Sequence, residues 1–188
     1  SGLTGVVAVA AGGGHTVALK GDGTVWAWGT NVGAPSDGTN PNISTTPVQV
    51  SELTGIVAIA AGSSHTVALK GDGSVWTWGN NYYGQLGDGT NTNRLTPVQV
   101  SGLTGVVAVS AGGGLTVALK GDGSVWTWGN NAYGQLGREM SYNQFTPGEV
   151  SGLTGAVAVS AGLDYAVALK DDGSVWTWGY NASGSPFD

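Results

Sequence analysis

Residues 74–79 read SVWTWG, and close variants of this hexapeptide occur four times in the 188-residue chain. The other copies lie at 24–29 (TVWAWG), 124–129 and 174–179. Side chains alternate along a β-strand, so both tryptophans of a copy point to one face. Four near-identical copies favour a packing role over an aromatic ligand platform, because packing needs one copy for each structural unit. The predicted core set is therefore all eight tryptophans: Trp26, Trp28, Trp76, Trp78, Trp126, Trp128, Trp176 and Trp178.

The hexapeptides belong to a longer repeat with a period of 50 residues. SGLTG opens at Ser1, Ser101 and Ser151, and SELTG opens at Ser51. Each complete repeat ends on TPVQV or, at 146–150, on TPGEV, and the fourth repeat stops before that segment. Internal repetition with a fixed period predicts an array of one repeated structural unit.

Each repeat is predicted to form four strands, which in the first repeat are A (5–12), B (15–20), C (24–29) and D (46–50). Val, Thr and Trp favour strands, and Gly or Pro marks their ends. Asp-Gly in KGDG predicts a hairpin turn between strands B and C. Strand A places Val6, Ala8 and Ala10 on one face, and it places the equally apolar Val7, Val9 and Ala11 on the other. The sheet is therefore expected to be buried on both faces.

A sheet that is apolar on both faces packs between similar sheets, as a blade of a β-propeller does. The small residues of strand A suit the crowded centre, and the tryptophans suit the wider gap between blades. We predict an all-β protein with about four four-stranded blades per chain. A single repeat domain over residues 1–188 would hold blades 1–50, 51–100 and 101–150 and an incomplete blade 151–188.

The composition excludes several classes of protein. Charged residues make up 10% of the chain and the formal net charge is −6. Binding to nucleic acid needs a clustered basic face, so we expect no nucleic-acid partner. The chain has no cysteine, which excludes disulfides and thiolate metal sites. No apolar run approaches the length of a membrane-spanning helix, so no membrane partner is expected.

Two stretches of the chain resemble the RCC1 (regulator of chromosome condensation) repeat in its bacterial form. They are VVAVAAGGGHTVALKGDGTVWAWGTN and NNYYGQLGDGTNTNRLTPVQV. The pattern runs through all four repeats and is fullest in 51–100. Repeat 1 departs from it after Gly29, and Leu115 and Tyr165 replace the histidine of the pattern in repeats 3 and 4. The resemblance implies a propeller of four-stranded blades, typically seven.

Three complete blades and one incomplete blade cannot close such a ring. Three arrangements stay open: two copies complete a ring, the chain is part of a longer propeller, or four blades close on themselves. An open half-ring exposes an apolar blade face at each end, and surfaces of that kind are typical of interfaces. Self-association into a homodimer or a higher assembly is therefore expected.

No catalytic, cofactor-binding or metal-binding constellation is predicted. His15 and His65 occupy equivalent positions in their repeats, and the other two repeats dispense with them, so a structural hydrogen bond is the expected role. The segment DGTNTN at 88–93 lacks the glutamate that a calcium loop needs. We therefore expect a protein that is not an enzyme and needs no cofactor.

Variation between the repeats is concentrated in two kinds of loop. Antiparallel strands put the A–B and C–D loops on one face of the propeller and the B–C and D–A turns on the other. The turns are nearly uniform, whereas the loops differ and carry residue types that interfaces enrich. Drift in unconstrained loops is the alternative explanation. The predicted partner-binding face consists of Tyr82, Tyr83, Arg94, Tyr133, Arg138, Glu139, Met140, Tyr142, Phe145, Asp164 and Tyr165.

These observations predict a non-enzymatic scaffold that binds itself and another protein. A self-assembling structural subunit, as a dimeric ring or a filament, is one alternative. An enzyme inhibitor is another, because proteins with the resembling repeats include a β-lactamase inhibitor. Guanine-nucleotide exchange on a small GTPase, the family's best-known activity, is disfavoured because the strict period leaves no inserted segment and basic residues are few. Low charge and abundant Thr, Asn and Gly favour an extracellular or cell-surface bacterial protein.

Overall fold

The computed structural model describes residues 2–30, 43–139 and 142–180, with only the backbone of Ile43. Within these residues, strands form four antiparallel sheets and helices are absent. The strands are β1 Val6–Ala11, β2 His15–Lys20, β3 Val25–Thr30, β4 Ile43–Gln49, β5 Ile56–Ala61, β6 His65–Lys70, β7 Val75–Gly79, β8 Arg94–Gln99, β9 Val106–Ala111, β10 Leu115–Lys120, β11 Val125–Gly129, β12 Gln144–Glu149, β13 Ala156–Ala161, β14 Tyr165–Lys170 and β15 Val175–Gly179.

Each sheet is one blade whose strands pair in chain order. Blades 1 to 3 have four strands, and the described part of blade 4 has three. The second and third strands join through the predicted Asp-Gly turn, in which the Asp72 Oδ1 accepts hydrogen bonds from the Ser74 amide (2.9 Å) and hydroxyl (2.6 Å). The predicted all-β fold with propeller blades is confirmed.

The innermost strand of each blade differs from the prediction by a β-bulge. In blade 2 the register shifts between Ile56 and Ala58, so the side chains before and after the bulge exchange faces. Ile56 consequently lies on the same face as Ile59 and Ala61, and the bulged Val57 is exposed. The expected alternation of Val6 with Ala8 and Ala10 is therefore wrong. Both faces of the strand beyond the bulge pack against apolar side chains in blade 2, with Ile59 and Ala61 in one cluster and Ala58 and Ala60 in another. Val7, Val107 and Val157 are exposed like Val57.

Consecutive blades pack face to face through three apolar clusters, which we call joints. The face that a blade turns to the next blade is its trailing face, and in blade 1 it carries Val17, Leu19 and Val25. The face that a blade turns to the preceding one is its leading face, and in blade 2 it carries Ile56 and Trp78. Consecutive innermost strands contact one another, so they line the centre.

The tryptophans lie on the leading faces. Trp78 and Trp128 are fully buried in the first and second joints, and Trp178 packs in the third. Trp176 departs from the core prediction because it is 45% exposed. Its counterpart Trp126 lies beside Glu149 of β12, and the described part of blade 4 has no such outer strand. In the part of the chain that the structure describes, no helix is long and apolar enough to span a bilayer.

Candidate functional site: the loop face

Hydrogen bonds tie the A–B and C–D loops together on one side of the blades. The Asn80 amide donates to the Ser64 carbonyl (2.8 Å) and the Thr30 amide to the Gly14 carbonyl (2.8 Å). Between blades 3 and 4, the Gln135 side-chain amide donates to the Asp164 carboxylate (3.3 Å). We call this side the loop face, and the side of the B–C and D–A turns the turn face.

All six tyrosines of the chain lie on the loop face. Each is exposed, from 36% for Tyr83 to 70% for Tyr82. The others are Tyr133, Tyr142, Tyr165 and Tyr180. All four lysines lie instead beside the turn face, where each ammonium is placed 5.5–5.8 Å from the centre of a tryptophan ring. The two faces of the blades therefore have different chemistry.

The tyrosines form contacts across neighbouring blades. Tyr82 and Tyr83 meet edge to face with ring centres 4.9 Å apart, and the Tyr83 ring lies against Gly114 in the A–B loop of blade 3. Tyr133 of blade 3 meets Tyr180 of blade 4 with ring centres 4.7 Å apart. The loop face thus carries two tyrosine pairs, one within blade 2 and one that joins blades 3 and 4.

Phe145, another apolar residue of the predicted face, lies in the outer strand of blade 3. The backbone of Phe145 accepts a hydrogen bond from the Gly89 amide (2.9 Å), which joins the outer strand of blade 3 to the C–D loop of blade 2. Tyr142 and Glu139 are exposed nearby in sequence. Met140 lies outside the described residues.

The two arginines of the predicted face are held by the protein itself. Both Nε and an Nη atom of Arg94 lie 2.8 Å from one oxygen of Asp88. Arg138 donates to the Thr127 carbonyl (2.9 Å), and its guanidinium lies against Gly148, where blades 1 and 2 have valine. Desolvation by burial lowers the pKa of Arg138. Arg94 is thus paired with a carboxylate, and Arg138 is partly buried and hydrogen-bonded to a backbone carbonyl.

The central part of the C–D loop has a structural role in blades 2 and 3, because it fastens each of them to the next blade, and sequence reasoning missed this role. The Gln85 carbonyl accepts hydrogen bonds from the Thr116 hydroxyl (2.7 Å) and the Trp128 indole (2.9 Å), both in blade 3. The Trp178 indole likewise donates to the Gln135 carbonyl (2.9 Å). The sequence carried a signal for this role, because GQLG is identical in the two loops, which otherwise vary.

The histidines join adjacent blades. His65 Nε2 lies 3.0 Å from the Thr116 hydroxyl, which already donates its proton to Gln85. His65 Nε2 must therefore carry the donated proton, and its buried Nδ1 has no hydrogen-bond partner among the described residues. Desolvation by burial, with a smaller repulsion from His15, lowers the pKa of His65 to about 3.

The joint between blades 3 and 4 replaces this polar pair with an apolar one. Leu115 stands where the first two blades have histidine, and Ala166 stands where blades 2 and 3 have threonine. Both residues are fully buried in the third joint. The paired exchange leaves no buried donor without an acceptor at this position.

Two exposed residues of the loop face were also missed from the sequence. Tyr180 stands where blades 2 and 3 have Asn80 and Asn130. Leu163 is 65% exposed in an A–B loop whose counterparts have Gly or Ser. Departure of the fourth repeat from the other three was the available signal for both.

A shallow depression of about 240 Å³ lies where the four A–B loops meet. Its walls are glycines and alanines together with Ser63 and Leu163, so no lining side chain titrates. The depression offers a small contact surface on the loop face, and its lining residues include no acid–base group.

Comparisons with known proteins agree with this architecture. The family model of the RCC1-like domain matches residues 1–186. The chain is similar to human WBSCR16, with 27% identity and a TM-score of 0.81 over 96% of this chain and 49% of that one. It is similar to Prp20p from Saccharomyces cerevisiae, with 28% identity and a TM-score of 0.82 over 94% of this chain and 44% of that one.

The chain thus spans about half the length of these two solved structures. The computationally designed protein Ika4 shares the fold at 18% identity and a TM-score of 0.50, over 96% of this chain and 95% of that one. No curated protein sequence matches the chain. On its repeat pattern, its blades and the family match, the chain belongs to the RCC1-like domain family.

Proposed function

We propose that this RCC1-like chain is a scaffold that binds another protein through its loop face. The observation that carries the proposal is the placement of all six tyrosines, each exposed, on that face. Tyrosine presents a large amphipathic surface and loses little conformational entropy on binding, which makes it a common contact residue.

The charges of the loop face indicate the chemistry of the partner surface. Arg94 is neutralised by Asp88, and Arg138 is occupied by a backbone carbonyl. Recognition would therefore depend on aromatic and apolar contact and on hydrogen bonds from the phenol groups. This chemistry suits a protein surface with apolar side chains, and it does not suit nucleic acid or a strongly acidic partner.

The relatives supply a supporting analogy. The work on Prp20p describes its binding to Gsp1p and to histones, and a further structure shows yeast Prp20 with Kap60. Binding of proteins by RCC1-like propellers supports the same general role here, without the same partners. An enzyme inhibitor is the special case in which the bound protein is an enzyme.

The proposal can be tested by capture from cells of the source organism. The variant Tyr82→Ser/Tyr133→Ser/Tyr142→Ser removes three exposed rings from the loop face. The matched control Val7→Ser/Val107→Ser/Val157→Ser removes three exposed valines from the innermost strands. A partner retained by the wild type and the control but lost by the tyrosine variant supports the proposal, and equal retention by both variants contradicts it.

Self-assembly is the second candidate function, and the exposed faces of the end blades favour it. Trp26 and Trp28 lie half-buried on the leading face of blade 1, where no described blade covers them. A second copy packed on that face would bury Trp28, as Trp78 and Trp128 are buried in the internal joints. We expect tryptophan emission to shift to shorter wavelength as protein concentration rises, and emission independent of concentration would count against this candidate.

A further inference from the structure

Two departures of the fourth repeat from the third meet at the boundary between blades 3 and 4. Asp164 stands in its A–B loop where blade 3 has Gly114, and Tyr180 stands where blade 3 has Asn130. The Tyr180 amide donates a hydrogen bond to the Asp164 carbonyl (2.8 Å), so the two changed residues lie side by side. Blade 3 adds Tyr133, whose ring centre is 4.7 Å from that of Tyr180. We call Tyr133, Asp164 and Tyr180 the boundary cluster.

A buried glutamine fixes the position of the carboxylate in this cluster. Gln135 is fully buried, and its side-chain amide donates to one oxygen of Asp164 (3.3 Å). Its side-chain oxygen accepts a hydrogen bond from the Tyr133 amide (2.8 Å). The Gln135 carbonyl is itself held by the Trp178 indole (2.9 Å), in the joint between the two blades. The boundary cluster is therefore anchored to a packed joint and is organised before any partner binds.

The Asp164 carboxylate has no cation beside it. Within the described ranges, Gln135 is its hydrogen-bond donor and no lysine or arginine forms an ion pair with it. The side chain of Asp164 is half-buried, whereas Tyr133 and Tyr180 are 53% and 51% exposed. The cluster thus combines a carboxylate without a neutralising partner with two accessible aromatic rings.

This combination suits a guanidinium group. An aromatic ring attracts a cation placed over its face, and a carboxylate adds charge-assisted hydrogen bonds. A guanidinium uses both, because it is planar, stacks on rings and presents several N–H donors, whereas an ammonium is more compact and more strongly hydrated. The formal net charge of −6 also favours a cationic contact over an anionic one.

We propose that the boundary cluster binds an arginine side chain on the surface of the partner protein. The guanidinium lies on the tyrosine rings, and its N–H groups donate to Asp164. The inference rests on the proposed binding of a protein through the loop face, and it adds one charged contact to the aromatic and apolar ones. Arginine and tyrosine are both enriched among the residues that dominate the binding energy of interfaces.

The boundary between blades 2 and 3 has no such cluster and serves as an internal comparison. Tyr83 corresponds to Tyr133, but its ring lies against Gly114, which has no carboxylate. The Gln85 side-chain amide donates to Asn80 of its own blade (2.9 Å) rather than to the following blade. An arginine side chain is therefore expected to bind between blades 3 and 4 and not between blades 2 and 3.

The test uses the isotope-labelled full chain and capped pentapeptides in which glycines flank one central residue. Amide resonances are followed by NMR while each peptide is added. The arginine peptide is expected to give saturable shifts at the boundary cluster and at Gln135. Citrulline has nearly the same shape without the charge, so its peptide is expected to bind about tenfold more weakly or less. The lysine peptide is also expected to bind more weakly than the arginine peptide.

Matched variants separate the charge from the ring. Asp164→Asn removes the charge, keeps an oxygen that accepts from Gln135, and is expected to weaken binding of the arginine peptide about tenfold. Tyr180→Asn installs the residue that blades 2 and 3 have and is expected to weaken it about threefold. The control Glu139→Gln removes an exposed carboxylate outside the cluster and should change the affinity by less than about twofold. Unchanged resonances far from the cluster show that each variant is folded.

Absence of saturable shifts at the boundary cluster overturns the inference, as does an Asp164→Asn variant that binds like the wild type. Equal binding of the citrulline or the lysine peptide overturns the assignment to arginine. These outcomes leave the loop-face scaffold standing, because capture of a partner that depends on the tyrosines tests it separately. Equal capture by the tyrosine variant and its valine control contradicts the scaffold, whatever the peptides show.

Discussion

The joint between blades 2 and 3 and the trailing face of blade 4 contain nearly the same residues in opposite environments. Val75 is completely buried, and Val175, one hundred residues later in the repeat register, is 61% exposed. Thr77 is buried and donates to the Leu86 carbonyl, whereas Thr177 is exposed.

Whether a residue of the repeat is buried therefore depends on the neighbouring blade that covers it, and not on the repeat sequence alone. Each blade contributes one apolar face to the core, and the next blade contributes the other, as in other repeat proteins with nearest-neighbour stabilisation. The function of the end blades must therefore be sought in what covers them, and that of the loop face in what its exposed rings contact.

The largest effect is expected when an aspartate replaces the equivalent valine on a covered trailing face and on the exposed trailing face of blade 4. Val125→Asp buries an unpaired carboxylate in the third joint and should lower the free energy of unfolding by about 3 kcal/mol or more. Val175→Asp should change that of the monomer by less than about 1 kcal/mol. Urea unfolding in dilute solution measures both, and equal losses would contradict the difference in burial.

Acid should weaken the two joints that contain histidine. Burial lowers the pKa of His15 to about 4 and that of His65 to about 3, below the ordinary value of 6.5. The unfolded chain therefore binds protons from about pH 6.5 downward while the folded chain does not, so stability falls as the pH falls through this window.

At pH 5 the loss relative to pH 7 should be about 2 kcal/mol for each histidine. The variant His65→Leu/Thr116→Ala should lose about half as much as the wild type, because only His15 remains. The pKa values of the aspartates in the Asp-Gly turns are lowered from 3.8, so these carboxylates stay ionised between pH 7 and pH 5 and do not contribute to the difference in stability. Urea unfolding curves of both proteins at pH 7 and pH 5 measure the two losses. An identical pH dependence of both proteins would contradict the role assigned to His65.

The histidine–threonine joint should be convertible into the leucine–alanine joint that the chain already contains. Thr116→Ala alone leaves the buried His65 N–H without an acceptor and should cost about 1–3 kcal/mol. Adding His65→Leu removes the orphaned donor, so the double variant should recover much of the loss. A double-mutant cycle measures the coupling, and a double variant no more stable than Thr116→Ala would contradict the hydrogen-bond assignment.

The smallest effect is expected on the loop face. Tyr82 is 70% exposed, so Tyr82→Ala should change the free energy of unfolding by less than about 0.5 kcal/mol. Thermal unfolding of the two proteins measures the difference. A loss comparable with that of a joint variant would mean that the ring is needed for folding rather than available for a partner.

Much of the fold follows from the sequence because the repeat is regular. The period, the Asp-Gly turns and the tryptophan pairs predict four-stranded blades, and the paired strands follow the expected order. The bulge at Val57 was not predictable, since an uninterrupted apolar run carries no mark of where a register shift falls. Trp176 has the same hexapeptide as the other copies and is exposed where the described part of blade 4 has no outer strand, so its exposure was not predictable from that hexapeptide.

The loop face is predictable in outline and not in its internal contacts. Alternation of antiparallel strands places Tyr83 and Asp164 on one side before any coordinates are known. The ion pair of Arg94 with Asp88 and the burial of Gln85 depend on loop conformation, which residue variation alone does not reveal. The shared GQLG, at 84–87 and 134–137, contains the buried Gln and Leu of the two loops, and its identity between otherwise variable loops distinguishes it from the variable residues around it.

The mass of the wild-type chain in solution tests most directly whether the exposed faces of blades 1 and 4 mediate self-association. Light scattering across a range of protein concentrations measures it. We predict a stable species with twice the chain mass of 18.7 kDa at high concentration that dissociates on dilution. A single species of 18.7 kDa at every concentration would contradict self-association through the end blades.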